Sequence, residues 1–166
     1  MNTQTSGCCA AECSCGCNPK KDIVIDFLYI DLTICDRCLG TEEALDAAVD
    51  TVSPVLKAAG YTLTVNKQLI DSHEKAMSLG FVSSPTIRVN GHDIAEVDET
   101  RCECCGDLCG CDVDCRVWHY EDDTYNSPPK ELIVEAILRL FALPSVTPES
   151  CALPDNLEKF FQGHNH

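Results

Sequence analysis

Positive charge is scarce in this chain: 12 Lys and Arg stand against 27 Asp and Glu over 166 residues, a formal net charge of -15. So acidic a chain repels phosphate backbones, which argues against nucleic acid as a partner and leaves solubility as the plain role of the acidity. Long apolar runs are missing as well. None approaches the roughly 18 residues needed to span a bilayer, so no membrane partner is expected. The opening Met1-Asn2-Thr3-Gln4-Thr5-Ser6-Gly7 is neither basic nor apolar and does not resemble a secretory signal. A cytoplasmic protein is the expectation, and there cysteines serve as thiols, metal ligands or transient disulfides. His73, His92 and His119 stand isolated and read as surface or packed residues.

Cysteine is what the chain has in excess. Of its 14, five lie at the start (Cys8, Cys9, Cys13, Cys15, Cys17), Cys35 and Cys38 form a Cys-x-x-Cys, six fall between Cys102 and Cys115, and Cys151 is alone. Three clusters imply three pieces of chemistry.

The domain organisation follows from composition and periodicity. Residues 1–20 hold Gly, Ser, Asn, Pro and cysteine without apolar periodicity and read as a flexible cysteine-rich arm. Residues 21–143 read as one α/β domain carrying a cysteine-rich insert at 101–116. Residues 144–166 read as a proline-punctuated tail with a short amphipathic helix near Leu153–Phe161. Inside the domain, residues 21–32 are an apolar strand. Residues 39–59 form a helix with stripe Ala44, Leu45, Ala48, Val49, Val52, Val55 and Leu56, and Pro54 is expected to kink or divide it. A strand at 61–66 and a short helix at 71–79 come next. A strand at 84–89 then turns through Asn90-Gly91 into 92–97. Residues 116–120 offer an extra strand, and 129–143 a last helix whose Ile133, Val134, Ile137, Leu138 and Phe141 share a face. The order is β-α-β-α-β-β-α, with the insert before the last helix.

Cys35-Asp36-Arg37-Cys38 at a strand-to-helix junction, with Ser84-Pro85-Thr86 opening a later strand, resembles the thioredoxin-like superfamily. Residues 31–40, Ser84–Asn90 and the insert ending Asp114-Cys115-Arg116-Val117-Trp118 look more narrowly like an uncharacterised prokaryotic family of that superfamily. It is a domain of unknown function with some members in metal or metalloid resistance settings. The likeness covers about residues 22–141. It departs from thioredoxin itself in Ile34 before the first cysteine, in the Asp-Arg dipeptide, and in both extra cysteine clusters. The resemblance implies a dithiol with Cys35 as exposed nucleophile and Cys38 as resolving thiol, the first favoured as thiolate by a helix N-terminus. Arg37 is expected to favour that thiolate and, with Ser84, to bind the substrate, whereas Asp36 is expected to oppose the thiolate. A cis Pro85 would face the dithiol and leave the Ser84 backbone free to pair with an incoming chain. Cys-x-x-Cys also binds soft ions, although the opposed proline normally hinders this in the superfamily.

In the insert, Cys102, Cys105, Cys109 and Cys115 can supply a tetrahedral four-thiolate site with zinc as the default ion. Local disulfides or exchangeable thiols are one alternative, and an iron–sulfur cluster or labile soft metal is another. The Cys-x-Cys repeats of the arm suit arsenite, mercury, copper(I) or cadmium, because soft cations favour sulfur and need little scaffold. The leading reading is a thiol–disulfide oxidoreductase with accessory soft-metal sites that serves metal or metalloid detoxification. Its partner would be a thiol- or disulfide-bearing protein or a thiophilic ion, and no organic cofactor is implied. The alternatives are a non-catalytic heavy-metal chaperone or sink, and an iron–sulfur electron carrier.

Overall fold

A computed structural model describes residues 21–164, so the arm expected at 1–20, with all five of its cysteines, lies outside the described residues. The elements run β1 (Asp22–Tyr29), α1 (Asp36–Ala58), β2 (Thr62–Leu69), α2 (His73–Ser78), β3 (Thr86–Val89) and β4 (His92–Asp93). They continue β5 (Asp98–Arg101), α3 (Glu103–Cys109), β6 (Asp114–Tyr120), β7 (Asp123–Tyr125), α4 (Lys130–Leu140) and α5 (Asp155–His164). The described residues thus form a mixed α/β structure with five helices and two sheets. None of those helices is long and apolar enough to cross a membrane.

The first sheet has the order β2-β1-β3-β4. β1 pairs parallel with β2, from Asp22 opposite Thr62 to Tyr29 opposite Leu69, and antiparallel with β3, where Ile25 faces Val89 and Phe27 faces Ile87. A parallel pair needs a crossover, which α1 supplies. Ile23, Ile25 and Phe27 of β1 are fully buried on one face, and on the other Leu28 is buried while Val24 and Asp26 are half-buried. The first three meet Leu45, Ala48, Val52 and Leu56 of α1 and Ile133, Ala136 and Ile137 of α4 in one apolar core. Each such Leu, Ile or Phe contributes about 1.5–3 kcal/mol by leaving water.

The β3–β4 turn is built as its residues require. Asn90 and Gly91 both have positive φ, 52° and 84°, as a tight two-residue hairpin turn demands. The Asn90 side chain then ties three parts together: Oδ1 accepts from Val24 N at 2.9 Å, while Nδ2 donates to the carbonyls of Phe141 and Leu143 at 3.2 Å each.

Two expectations change here. Of the two outcomes expected at Pro54, division does not occur: α1 continues through it, and Pro54 lies on the exposed face, where water can take up the carbonyl it leaves unpaired. The strand expected at 92–97 ends at Asp93, since the chain beyond turns to present the Ala95 and Glu96 carbonyls to Arg116 at 2.6 and 3.3 Å.

The insert is more structured than its turn-rich composition implies. β5 and β6 pair antiparallel, Thr100 opposite Cys115, and α3 fills the connection between them. It is tied to the body at two arginines. Arg116 is fully buried, pairs with the Asp93 carboxylate at 2.7 and 2.9 Å, and lies over the Trp118 ring at 4.3 Å. Arg37, at the start of α1, donates to the carbonyls of Thr100 (3.0 Å), Arg101 (2.8 Å) and Cys115 (2.8 Å). α5 closes the far side: Leu157, Phe160 and Phe161 are buried against the cysteine region. Gly163 allows that approach, because a Cβ there would stand 2.3 Å from the Cys109 carbonyl oxygen.

Candidate metal centre

The centre begins with the loop after β1. The Asp31 carboxylate accepts the backbone N–H groups of Thr33 (2.9 Å), Ile34 (2.7 Å) and Cys35 (3.2 Å), curling the chain into α1. Short acidic side chains favour this local bonding. Cys35 becomes the N-cap residue, its sulfur accepting from Cys38 N at 3.4 Å. Cys102 holds the matching position at the start of α3, and its own N–H donates to the Val113 carbonyl at 2.8 Å. Cys105 projects from the first turn of α3, and Cys115 comes from β6.

These four residues, two from helix caps and one each from within α3 and β6, converge. The sulfurs of Cys35, Cys102, Cys105 and Cys115 all lie within 4.8 Å of one another, and Cys105 and Cys115 approach to 3.4 Å. Bond lengths of about 2.3 Å in a tetrahedral zinc–thiolate site place sulfurs about 3.8 Å apart, so the set fits a thiophilic cation with sub-ångström adjustment. All four are buried, in a shell that includes Leu28, Ile70, Phe81, Val113, Leu157 and Phe160.

Their protonation explains why a cation suits this place. Hydrogen bonds from the Cys102, Cys105 and Cys115 thiols, with a further one from Cys38, push Cys35 far below the ordinary thiol range despite its burial. Cys102 is lowered to about 7 by Cys105 and Cys115. Cys105 and Cys115 are raised, because they give their protons to those hydrogen bonds and are themselves buried. Cys38 is raised by its bond to Cys35 and by burial. The strongest influences on the four sulfurs are thus each other and desolvation, with no basic side chain among them. Four thiolates packed in an apolar shell repel one another strongly, and a divalent ion removes that repulsion.

The residues singled out from sequence are distributed as follows. Cys102, Cys105 and Cys115 are together. Cys109 is not with them; it forms a disulfide with Cys111. Gly110 causes this, since its left-handed φ of 67° ends α3 and folds Cys111 back on Cys109. Cys35 takes the fourth place instead. It is also not the exposed nucleophile expected, being wholly buried under the insert. The Ser84–Pro85 bond is cis and both residues are buried, but the Ser84 backbone is not free: its carbonyl accepts Arg116 N at 2.8 Å. The Ser84 hydroxyl meets Cys38 Sγ at 3.4 Å and Ile30 N at 3.2 Å. Arg37, expected beside a substrate, binds the insert's carbonyls. Cys104 is half-buried on the rim with Asp36, its sulfur 3.8 Å from that carboxylate. Cys8, Cys9, Cys13, Cys15 and Cys17 lie outside the described residues.

Nothing in the spacing of the insert announced Cys35 as the fourth member of its cluster, although the Cys-x-x-Cys was itself open to soft ions. The available signal was positional: Cys35 follows the carboxyl end of a parallel strand, where open α/β sheets place their ligands.

Fold and site together define an α/β protein with a buried four-cysteine cluster compatible with a thiophilic metal. The chain belongs to the family described as Domain of unknown function (DUF2703), which matches residues 23–137 and so includes Cys38 and all four clustered cysteines. No curated protein and no solved structure matches the chain.

Proposed function

We propose that this chain is a thiophilic-metal-binding protein that holds one soft cation on Cys35, Cys102, Cys105 and Cys115, upon a thioredoxin-like scaffold. The observation that carries the reading is the mutual approach of four buried sulfurs within 4.8 Å. The scaffold assignment is supported by the strand order β2-β1-β3-β4 with α1 as crossover, and by the Cys-x-x-Cys and Ser84-Pro85 elements. Zinc is the default ion for four thiolates; mercuric ion and arsenite are cargoes that sulfur also favours, which suits metal or metalloid handling. The arm's five cysteines would add weaker capacity.

The test is elemental analysis of protein purified anaerobically, with a count of free thiols, on the full chain and on Cys35→Ser and Cys102→Ser. One tightly held ion per chain, lost in both variants, is the expected result. Full stoichiometry in both variants would overturn the reading, and iron with sulfide would replace it with electron transfer.

A second reading, thiol–disulfide exchange at Cys35 and Cys38, is favoured by the 3.4 Å contact of Cys38 N with Cys35 Sγ. The buried nucleophile and the occupied Ser84 carbonyl weigh against a protein substrate while the insert is in place. Capture of a mixed disulfide by Cys38→Ser in lysate tests it.

A further inference from the structure

Cys35 belongs to two groups of sulfurs at once. It is a member of the four-cysteine set, and it is the first cysteine of Cys35-x-x-Cys38. Cys38 lies one turn into α1, is fully buried, and is not part of the set; its sulfur meets the Ser84 hydroxyl at 3.4 Å. Its backbone N–H already reaches the Cys35 sulfur at 3.4 Å. Cys-x-x-Cys at a helix N-terminus is a spacing at which a disulfide closes without rebuilding the backbone. One sulfur cannot serve both groups, so pairing with Cys38 leaves only Cys102, Cys105 and Cys115 for the ion.

We propose that Cys38 makes the centre releasable by oxidation: Cys35 leaves the four-thiolate set to form a disulfide with Cys38, and the held cation is discharged. The proposal rests on the metal-binding reading above. The oxidant is a small peroxide. A protein disulfide is a poor fit, since the dithiol is wholly buried and the Ser84 carbonyl is taken by β6. A small molecule can reach the edge of the set, where a cleft of about 330 Å³ is lined by Cys102 with Asp36, Arg37, Cys104 and Ser127 among others, Cys35 and Cys38 lying behind it.

The step balances. The Cys35 thiolate attacks one oxygen of hydrogen peroxide, the O–O bond breaks, and a sulfenic acid and hydroxide form. The Cys38 thiol then displaces the sulfenic oxygen as water, forming the S–S bond, and a proton from solvent converts the hydroxide to water. Two electrons pass from the two sulfurs to peroxide. Release follows because a four-thiolate site loses one donor and one negative charge.

The experiment uses the full chain, reduced and loaded with one equivalent of zinc. Hydrogen peroxide is added in small excess, released zinc is followed with a chromophoric chelator, and disulfides are mapped by peptide mass. Wild type is expected to release its zinc as the Cys35–Cys38 disulfide appears. Cys38→Ser and Cys38→Ala are expected to bind one zinc as wild type does, yet to release it at least about tenfold more slowly, because the sulfenic acid has no resolving thiol. Release from both variants at the wild-type rate would overturn the proposal. So would zinc retained by wild type with the Cys35–Cys38 disulfide formed, or disulfides mapping only to other cysteines. If wild-type protein binds no zinc before peroxide is added, the underlying metal reading fails and this proposal falls with it.

Discussion

The molecule has two interiors, and they are made differently. The first, between the β2-β1-β3-β4 sheet and helices α1 and α4, buries Ile23, Phe27, Leu45, Ile87 and Ile137 among others, and its sixteen buried residues include no cysteine. The second, beneath the insert and α5, has six cysteines among its fifteen buried residues. Large aliphatic and aromatic side chains remove more area from water than cysteine does, so the first interior coheres by burial alone. The second needs other means: guanidinium bonds to backbone carbonyls, the aromatic cover of α5, and by our reading a cation.

Three substitutions sharpen that contrast. The largest effect is expected from Ile137→Ala, which empties a fully buried position in the first core and should cost about 2–5 kcal/mol in denaturant unfolding. Metal stoichiometry should stay unchanged, and a lost ion would show that the two interiors are one cooperative unit. Arg37→Ala comes next. It removes three charge-assisted bonds to the insert, partly exposed to solvent, and should cost about 1–2 kcal/mol. Amide exchange should quicken in residues 98–118 and not in β1 or α4; uniform acceleration would contradict a local clamp.

The smallest is Glu99→Gln. Burial raises the Glu99 carboxyl above the ordinary glutamate range. A raised folded-state value contributes stability that is fully present below the unfolded value and lost as pH rises through the folded one. The glutamine variant should therefore melt above wild type at pH 7, with the gap closing near pH 4. A gap independent of pH would remove burial of the carboxylate as its cause.

Legibility in the sequence divided along the same line. β1, α1, β3 and α4 were readable as elements because apolar residues recur within each, but the face read on α4 was only partly right: Ile133 and Ile137 are buried, whereas Leu138 is exposed and Leu132, Ala136 and Leu140 complete the buried face. The Asn90-Gly91 turn was readable because few pairs accept two positive φ values. α3 was not, since its seven residues hold three cysteines and a glycine and too little periodicity to distinguish a helix from turns. Three of the four clustered cysteines, Cys102, Cys105 and Cys115, were singled out together from the insert's spacing. Cys109 was misread in their company because spacing says nothing of which way a left-handed glycine turns the chain.

By itself, then, the sequence determined that a Cys-x-x-Cys caps a helix behind a buried strand, and that a cysteine-rich segment interrupts the chain before α4. Those are local matters, set by hydrophobic period, capping chemistry and turn residues within a few positions of each other. Only the tertiary structure decided that Cys35 leaves its sequence neighbours' company for Cys102, Cys105 and Cys115. The reason is geometric: sulfurs interact over a few ångströms of space, and what closes that space is the seating of β6 against Ser84 and of Arg37 on the insert, contacts between residues far apart in the chain.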